Sequence, residues 1–425
     1  MLNIKVITLH DSKPLVLLFN SETTLPMLYP TLYVMSSLKL KSESTQKTYL
    51  TGIKQFYEFW QKKHKETFCK YFIENKSDPY LMIQEFDSFV LYLENNQEID
   101  DKIIKLGSDC SLSYETLAMR LRSLISFFGF LLDNYSHIHG TPLKSEIAQY
   151  RTVLAQKSKI VTSLSATNYK NKSFKAVTNF KSLTQEMRDA LYKVISPTNV
   201  ENTIFLSNFA KFRNYLILHL LLNYGLRSGE LLLLSLKSIK TDLRTNNTYM
   251  VITDTNDGSD TRKVKPHIKN RQSVRMLLLE KKDAMAIKVY IEKIRAKDVD
   301  TDLLFLSNTK PYAPLSSSSL KKIFKIVNDE MMKNYPHFFD KKYVDSIDRI
   351  SPHTFRHTWA YITLKSNYEN YLNSNSRDDA MSLAVSNLRK LAGWSLESQM
   401  PYLYANRFVA EHANEINIQR INQGE

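Results

Sequence analysis

Ten residues, Ser351-Pro352-His353-Thr354-Phe355-Arg356-His357-Thr358-Trp359-Ala360, constrain this chain more than any other stretch. Proline inside a helix removes a donor and clashes with the preceding turn, but at the first helical position it does neither. Serine directly before it is a good cap. The stretch therefore predicts a helix beginning at Pro352. His353 and Arg356, three residues apart, would then share one face of its first turn. The N-terminus of a helix already favours anions, so the pair would extend a phosphate-type site. Arginine adds a permanently charged planar fork, and histidine can donate a hydrogen bond or a proton. The same pair also occurs on ordinary helix surfaces, so this stretch alone does not name a function.

Bulk properties narrow the field. A chain of 425 residues can form two or three domains with separate cores, and 43% hydrophobic residues make it globular. A net charge of +15 and a pI near 9.4 favour a polyanionic partner, with nucleic acid ahead of a membrane surface. Two cysteines, Cys69 and Cys110, cannot build a disulfide framework or a Cys-rich zinc site, which suits a reducing compartment. No apolar run reaches the roughly 20 residues that span a bilayer, and no signal peptide is evident. We expect no membrane partner.

Along the chain, residues 1–35 alternate weakly at Ile4, Val6 and Thr8, run apolar from Leu15 to Phe19, and carry Pro14, Pro26 and Pro30. They suggest an arm or short strands. Ser44-Thr45 is a plausible helix cap, followed by Tyr49, Ile53, Phe56 and Trp60 at helical spacing. Phe86, Phe89, Val90 and Leu93 mark a second helix. Leu117, Leu121, Leu124, Phe128 and Leu131 mark a third from about Tyr114. Residues 36–150 thus predict a helical bundle with an aromatic core. From Arg151 to Lys181 basic residues accumulate without one Asp or Glu, and helical periodicity lapses. This suggests a basic interdomain linker, either lying along phosphates or merely flexible. Ser182-Leu183-Thr184-Gln185-Glu186 opens a second domain over 182–425. An apolar helix from about Phe212 to Tyr224 follows. Residues 248–279 mix β-branched residues with turn signals and predict a small sheet or hairpin. From about 283 onward the pattern is helical, with a polar stretch from Ser366 to Asp379 expected as a surface insertion. The fold class is mainly α with a small β-sheet. The sequence shows no repeat, Gly-rich phosphate loop or metal-ligand cluster.

Two further stretches sharpen the reading. Asn223-Tyr224-Gly225-Leu226-Arg227-Ser228-Gly229-Glu230-Leu231 ends the apolar helix. Leu391-Ala392-Gly393-Trp394 precedes Pro401-Tyr402-Leu403-Tyr404-Ala405-Asn406-Arg407. Only nine glycines occur, and Gly225, Gly229 and Gly393 fall in these stretches, which suggests tight turns beside a site. An Arg, a His-x-x-Arg, a Gly-Trp and a Tyr in this order resemble the tyrosine recombinase (phage integrase) family over roughly residues 40–415. The resemblance implies an N-terminal SAM-like core-binding bundle gripping DNA and a C-terminal catalytic domain. It also implies a site-specific recombinase or integrase of a mobile genetic element, working in the bacterial cytoplasm at the nucleoid. Four protomers would act on two double-stranded attachment sites, with accessory DNA-bending or directionality factors possible. No cofactor or metal is implied.

The chemistry fits these residue types. A tyrosine phenol can store a DNA phosphodiester bond as a phosphotyrosyl link that another strand's hydroxyl later attacks. Negative charge developing on the nonbridging oxygens calls for fixed cationic donors, and two arginines meet that need. By the family pattern, Arg227 and Arg356 clamp the phosphate and His353 assists by hydrogen bonding or proton transfer. Glu230 orients Arg227, and His357 packs behind. Trp394 stands where histidine is commoner; its indole N–H can donate one hydrogen bond but cannot shuttle protons. The nucleophile is Tyr402 or Tyr404. The Ala405-Asn406 pair that follows favours Tyr404. A hairpin lysine would be the general acid, with Lys263, Lys265 and Lys269 as candidates and Lys269 preferred by counting back from Arg275 and Leu278. The segment from Phe408 to Ile421 could pack on its own chain or on a neighbour. The alternatives are a type IB topoisomerase-like enzyme and a non-catalytic DNA-binding protein of the same fold.

Overall fold

The computed structural model describes residues 2–8, 14–75, 78–94, 112–135, 146–159, 161–162, 181–199, 204–254, 258, 260–262, 264–268 and 271–422. The chain divides into two compact units, Met1–Ser173 and Phe174–Glu425. No helix among the described residues is long and apolar enough to cross a membrane.

The first unit opens with an antiparallel hairpin of β1 (Leu2–Ile7) and β2 (Leu15–Asn20), paired from Leu2↔Asn20 to Ile7↔Leu15. Along β2, Val16, Leu17 and Leu18 are all buried. A short helix, α1 (Leu28–Tyr33), runs straight into a π turn at Val34–Leu38. Helices α2 (Glu43–His64), α3 (Phe68–Glu74), α4 (Pro79–Glu94), α5 (Tyr114–Tyr135) and α6 (146–159) follow. The cap of α2 is Ser42 rather than Ser44: its side chain accepts from the Thr45 N–H at 3.2 Å. The apolar spacings legible in the sequence make the core. Ile53, Phe56, Trp60, Phe86, Phe89, Leu93, Leu117, Leu121, Leu124, Phe128 and Leu131 are all buried. The Phe56 ring meets Phe68, Phe89 and Phe128 edge-on at 5.4, 5.5 and 5.1 Å. Helix α6 corrects the expected lapse of periodicity after Arg151. Its first turns were hidden because the buried anchors of this segment, Leu154 and Val161, are few and widely spaced. Residues 163–180 of the expected linker lie outside the described residues.

In the second unit, α7 (Gln185–Ile195) is capped by Thr184, whose side chain accepts from the Met187 N–H at 3.2 Å. Helix α8 (Asn208–Asn223) starts behind Ser207, earlier than Phe212. A short α9 (Ser228–Leu233) leads into an antiparallel sheet in the order β3 (Ile239–Thr241), β4 (Thr248–Ile252), β5 (Arg275–Leu278). Then come α10 (Lys281–Val289), α11 (Ser317–Asn334), α12 (Pro352–Leu372), α13 (Arg377–Ala392) and α14 (Met400–Asn422). The expected continuous helix from 283 fails over 295–316. That segment is irregular, pinned by single bridges Ser235↔Leu303 and Leu306↔Pro314. Buried Arg295 holds it by donating to the carbonyls of Thr301 and Leu303 at 2.6 and 2.9 Å. Leu303, Leu304, Phe305 and Leu306 are all buried, so the run carries no period to betray its conformation. The expected insertion at 366–379 is mostly helix: α12 continues to Leu372 and α13 begins at Arg377.

Two cores fill this unit. The larger gathers α7, α8, α9, the sheet and α11, and reaches Phe355 on α12. The smaller begins at Trp359, Ala360 and Leu364 on the same helix and includes Leu388, Trp394 and Phe408. Helix α12 thus belongs to both cores, and Arg356 lies where one hands over to the other.

Candidate active site

Helix α12 begins as its sequence demands. Pro352 occupies the first turn, and Ser351 Oγ accepts from the Thr354 N–H at 3.2 Å. His353 is exposed at this N-terminus, whereas Arg356 is only 4% exposed. The Arg356 guanidinium is held by two backbone carbonyls. Nη1 donates to Gly225 O and Nη2 donates to Ala392 O at 2.8 Å. Its planar group also lies 5.1 Å from the Trp394 ring. The three motif stretches, far apart in sequence, therefore meet at one side chain.

Two glycines make this approach possible. Gly225 has φ +59°, and a Cβ there would sit 2.1 Å from the Trp359 ring. Gly393 has φ +62°, and a Cβ would come within 2.9 Å of Ser273 Cα and 3.0 Å of Gln272 O. Gly393 also ends α13 in the left-handed conformation, with the Trp394 N–H returning to Arg389 O at 3.0 Å. That turn sets Trp394 beneath Arg356.

Arg227 stands just before α9. Its Nη1 donates to Glu230 Oε1 at 2.6 Å and to Ser273 Oγ at 2.9 Å, while the side chain remains 22% exposed. Glu230 Oε2 accepts from the Arg227 backbone N–H at 3.0 Å and from Arg275 Nη2 at 2.8 Å. Burial pushes the Glu230 carboxyl up, but the hydrogen bond and charge of Arg275, with those of Arg227, hold it below the usual range. The orienting role expected of Glu230 matches this geometry. Ser273 and Arg275 complete the brace; Ser273 carried no periodic or charge signal in the sequence.

His353 pairs with His357, one turn on, through Nε2···Nε2 at 3.0 Å. Burial, then the charges of His353, Lys181 and Arg356, push His357 down to about 3. His353 is also lowered, by desolvation and then by Lys181 and Arg356. Lys181 had been expected only as part of a basic linker.

Lys269 and Lys263 lie outside the described residues, and their neighbour Lys265 is exposed. Tyr402 and Tyr404 are both in α14. Tyr402 is 49% exposed, 5.8 Å from the Arg389 guanidinium; the Tyr404 side chain lies outside the described residues. Just beyond, α14 is locked to its own chain. Buried Arg407 donates to Ser182 O at 3.0 Å, Asp345 Oδ1 at 3.2 Å and Glu411 Oε1 at 2.6 Å, and Tyr361 donates to Glu411. Up to Glu411, then, this helix packs in cis. Among the described residues no three His, Cys, Asp or Glu side chains converge as a metal cluster.

Residues 181–370 match the model of the phage integrase family, a range that includes Arg227, Lys269, His353 and Arg356 and stops before Trp394 and Tyr404. No curated protein matches the chain. Among solved structures, the Tn1549 transposon integrase in complex with circular intermediate DNA is similar over 92% of this chain and 98% of that one, with 14% identity and a TM-score of 0.50. XerH recombinase bound to its palindromic difH substrate matches over 84% and 75%, with 15% identity and a TM-score of 0.47. XerA recombinase matches over 88% and 92%, with 15% identity and a TM-score of 0.33. Residues 181–370, which carry Arg227, His353 and Arg356, thus form a phage integrase domain, the domain of enzymes of site-specific DNA recombination.

Proposed function

We propose that this enzyme cuts and rejoins double-stranded DNA through Tyr404. The phenol oxygen attacks phosphorus as its proton passes to solvent, the bond from phosphorus to the 5′ oxygen breaks, and a 3′-phosphotyrosyl link forms. Lys269 supplies the proton to the departing 5′ oxygen. The 5′ hydroxyl of a second strand then attacks the link and frees the tyrosine. Bond energy is conserved in the covalent intermediate, so the scheme uses no metal or nucleotide. Arg227 and Arg356 stabilise charge on the nonbridging oxygens, Glu230 orients Arg227, His353 hydrogen-bonds or transfers a proton, and Trp394 backs Arg356. Four protomers acting on two attachment sites, with DNA-bending or directionality factors, would complete the exchange.

The observation that supports this most is the grip on Arg356: one buried guanidinium fixed by backbone carbonyls from two distant motifs. Such preorganisation is what an electrostatic site for phosphoryl transfer requires. The DNA held by the Tn1549 integrase, which shares this fold, supports a duplex substrate. A nicked suicide duplex, from which the short 5′ fragment escapes after cleavage, tests the reading. The wild-type protein should become covalently trapped and Tyr404→Phe should not, while Tyr402→Phe should trap normally. Trapping by Tyr404→Phe that disappears in Tyr402→Phe would transfer the role to Tyr402. No trapping by the wild-type protein on any cognate duplex would leave a DNA-binding protein only.

A further inference from the structure

The buried member of the histidine pair has no place in the scheme above. His357 is 5% exposed and sits one helical turn behind His353. The two rings meet edge to face, with centroids 4.4 Å apart and planes at 84°, and their Nε2 atoms face each other at 3.0 Å. We propose that His357 is a positioning residue for His353: the hydrogen bond between the two Nε2 atoms fixes the His353 ring and leaves Nδ1 as the nitrogen it presents to the DNA phosphate. The inference rests on the catalytic reading just given and assigns the inner histidine a part in it.

The argument is one of proton counting. Between two facing ring nitrogens of neutral imidazoles, one must carry the hydrogen and the other the lone pair. If His353 were the donor, its Nδ1 would hold a lone pair, which repels a phosphate oxygen. If His357 is the donor, His353 carries its hydrogen on Nδ1 and can donate to that oxygen. The surroundings keep His357 neutral: it is desolvated, and Lys181 and Arg356 add positive charge beside both rings. Its own helix and cap support the alignment, since Thr358 Oγ1 donates to Thr354 O at 2.9 Å and accepts from the Leu183 N–H at 2.8 Å. Position 357 thus holds a neutral ring whose Nε2 can direct the tautomer of its neighbour without competing for the phosphate.

Three measurements on the full chain test this. Long-range proton–nitrogen correlations in histidine-labelled native protein should show His353 with its hydrogen on Nδ1; a hydrogen on Nε2 in the neutral ring would overturn the proposal. His357→Leu should slow strand cleavage about 10- to 100-fold, the scale of losing a partner that orients a site ligand, with DNA affinity retained. His357→Gln, whose amide can donate from nearly the same point, should recover most of that rate. A folded Leu variant that cleaves at the native rate would contradict the proposal, as would a Gln variant as slow as Leu. If the Leu variant does not fold, the tautomer measurement decides alone. Covalent trapping that depends on Tyr404 is expected in the Gln variant, so losing this inference would leave the catalytic reading standing.

Discussion

Glu230 shows how a single side chain sets the electrostatics here. Its two oxygens receive the Arg227 side chain, the Arg227 backbone and Arg275, in a place almost closed to water. Removing its charge leaves two guanidiniums with a weaker partner, so Glu230→Gln should cost about 2–3 kcal/mol of unfolding free energy. The pH dependence has a definite sign. A carboxyl whose folded pKa lies below its unfolded one stabilises the fold above the unfolded value of 4.5, and that contribution disappears as pH falls through the folded value. Thermal unfolding of the native protein should therefore weaken below about pH 4.5 more steeply than that of Glu230→Gln; parallel curves would show that the brace contributes little. Glu230 was legible through the family resemblance, whose pattern places an acidic residue after the first arginine. It could not announce Ser273, an ordinary serine whose importance exists only because Gly393 brings α13 against it.

At the scale of elements, the site depends on two turns and the start of one helix. Gly225 needs both a positive φ and an absent side chain, because the Trp359 ring fills the space a Cβ would take. Gly225→Ala should cost about 2–5 kcal/mol, combining left-handed backbone strain with overpacking, and should slow cleavage by moving the carbonyl that holds Arg356. A variant with native melting temperature and native cleavage would contradict that picture. The start of α12 was legible to the residue, since Ser351 and Pro352 are local signals. The long bundle helices α2, α4 and α5 were legible because their buried residues recur at helical spacing, whereas the short α1 and α3 were not, and α1 falls where an arm or strands were expected. The irregular 295–316 segment was not. Its buried leucines and phenylalanine look like any apolar run, and what holds them is Arg295 reaching carbonyls of its own loop. Helix α6 escaped notice for the opposite reason: a polar, basic surface with sparse apolar anchors.

For the whole molecule, two separately cored units and a net charge of +15 predict a hold on DNA that is electrostatic in large part. A protein that neutralises six to ten phosphates should lose about 10³- to 10⁵-fold in affinity between roughly 50 and 200 mM salt. Titrations over that range should fall steeply and linearly in log–log form; a flat response would mean that the basic surface is not the binding surface. The order of the motifs along the chain was visible from the start, and so was the chemistry they imply. Their meeting at Arg356 was not, because it is made by backbone carbonyls at Gly225 and Ala392, which every residue possesses and no pattern marks. That meeting matters chemically only if the arginines answer the charge of one phosphate. The direct measurement is cleavage of a duplex whose target phosphate is replaced by an uncharged methylphosphonate. Arg227→Ala and Arg356→Ala should be severely slowed on the natural phosphate, by about 10²- to 10³-fold each, and should recover much of the difference when the negative charge is gone. Equal losses on both substrates would mean that these guanidiniums hold the fold together without acting on the phosphate.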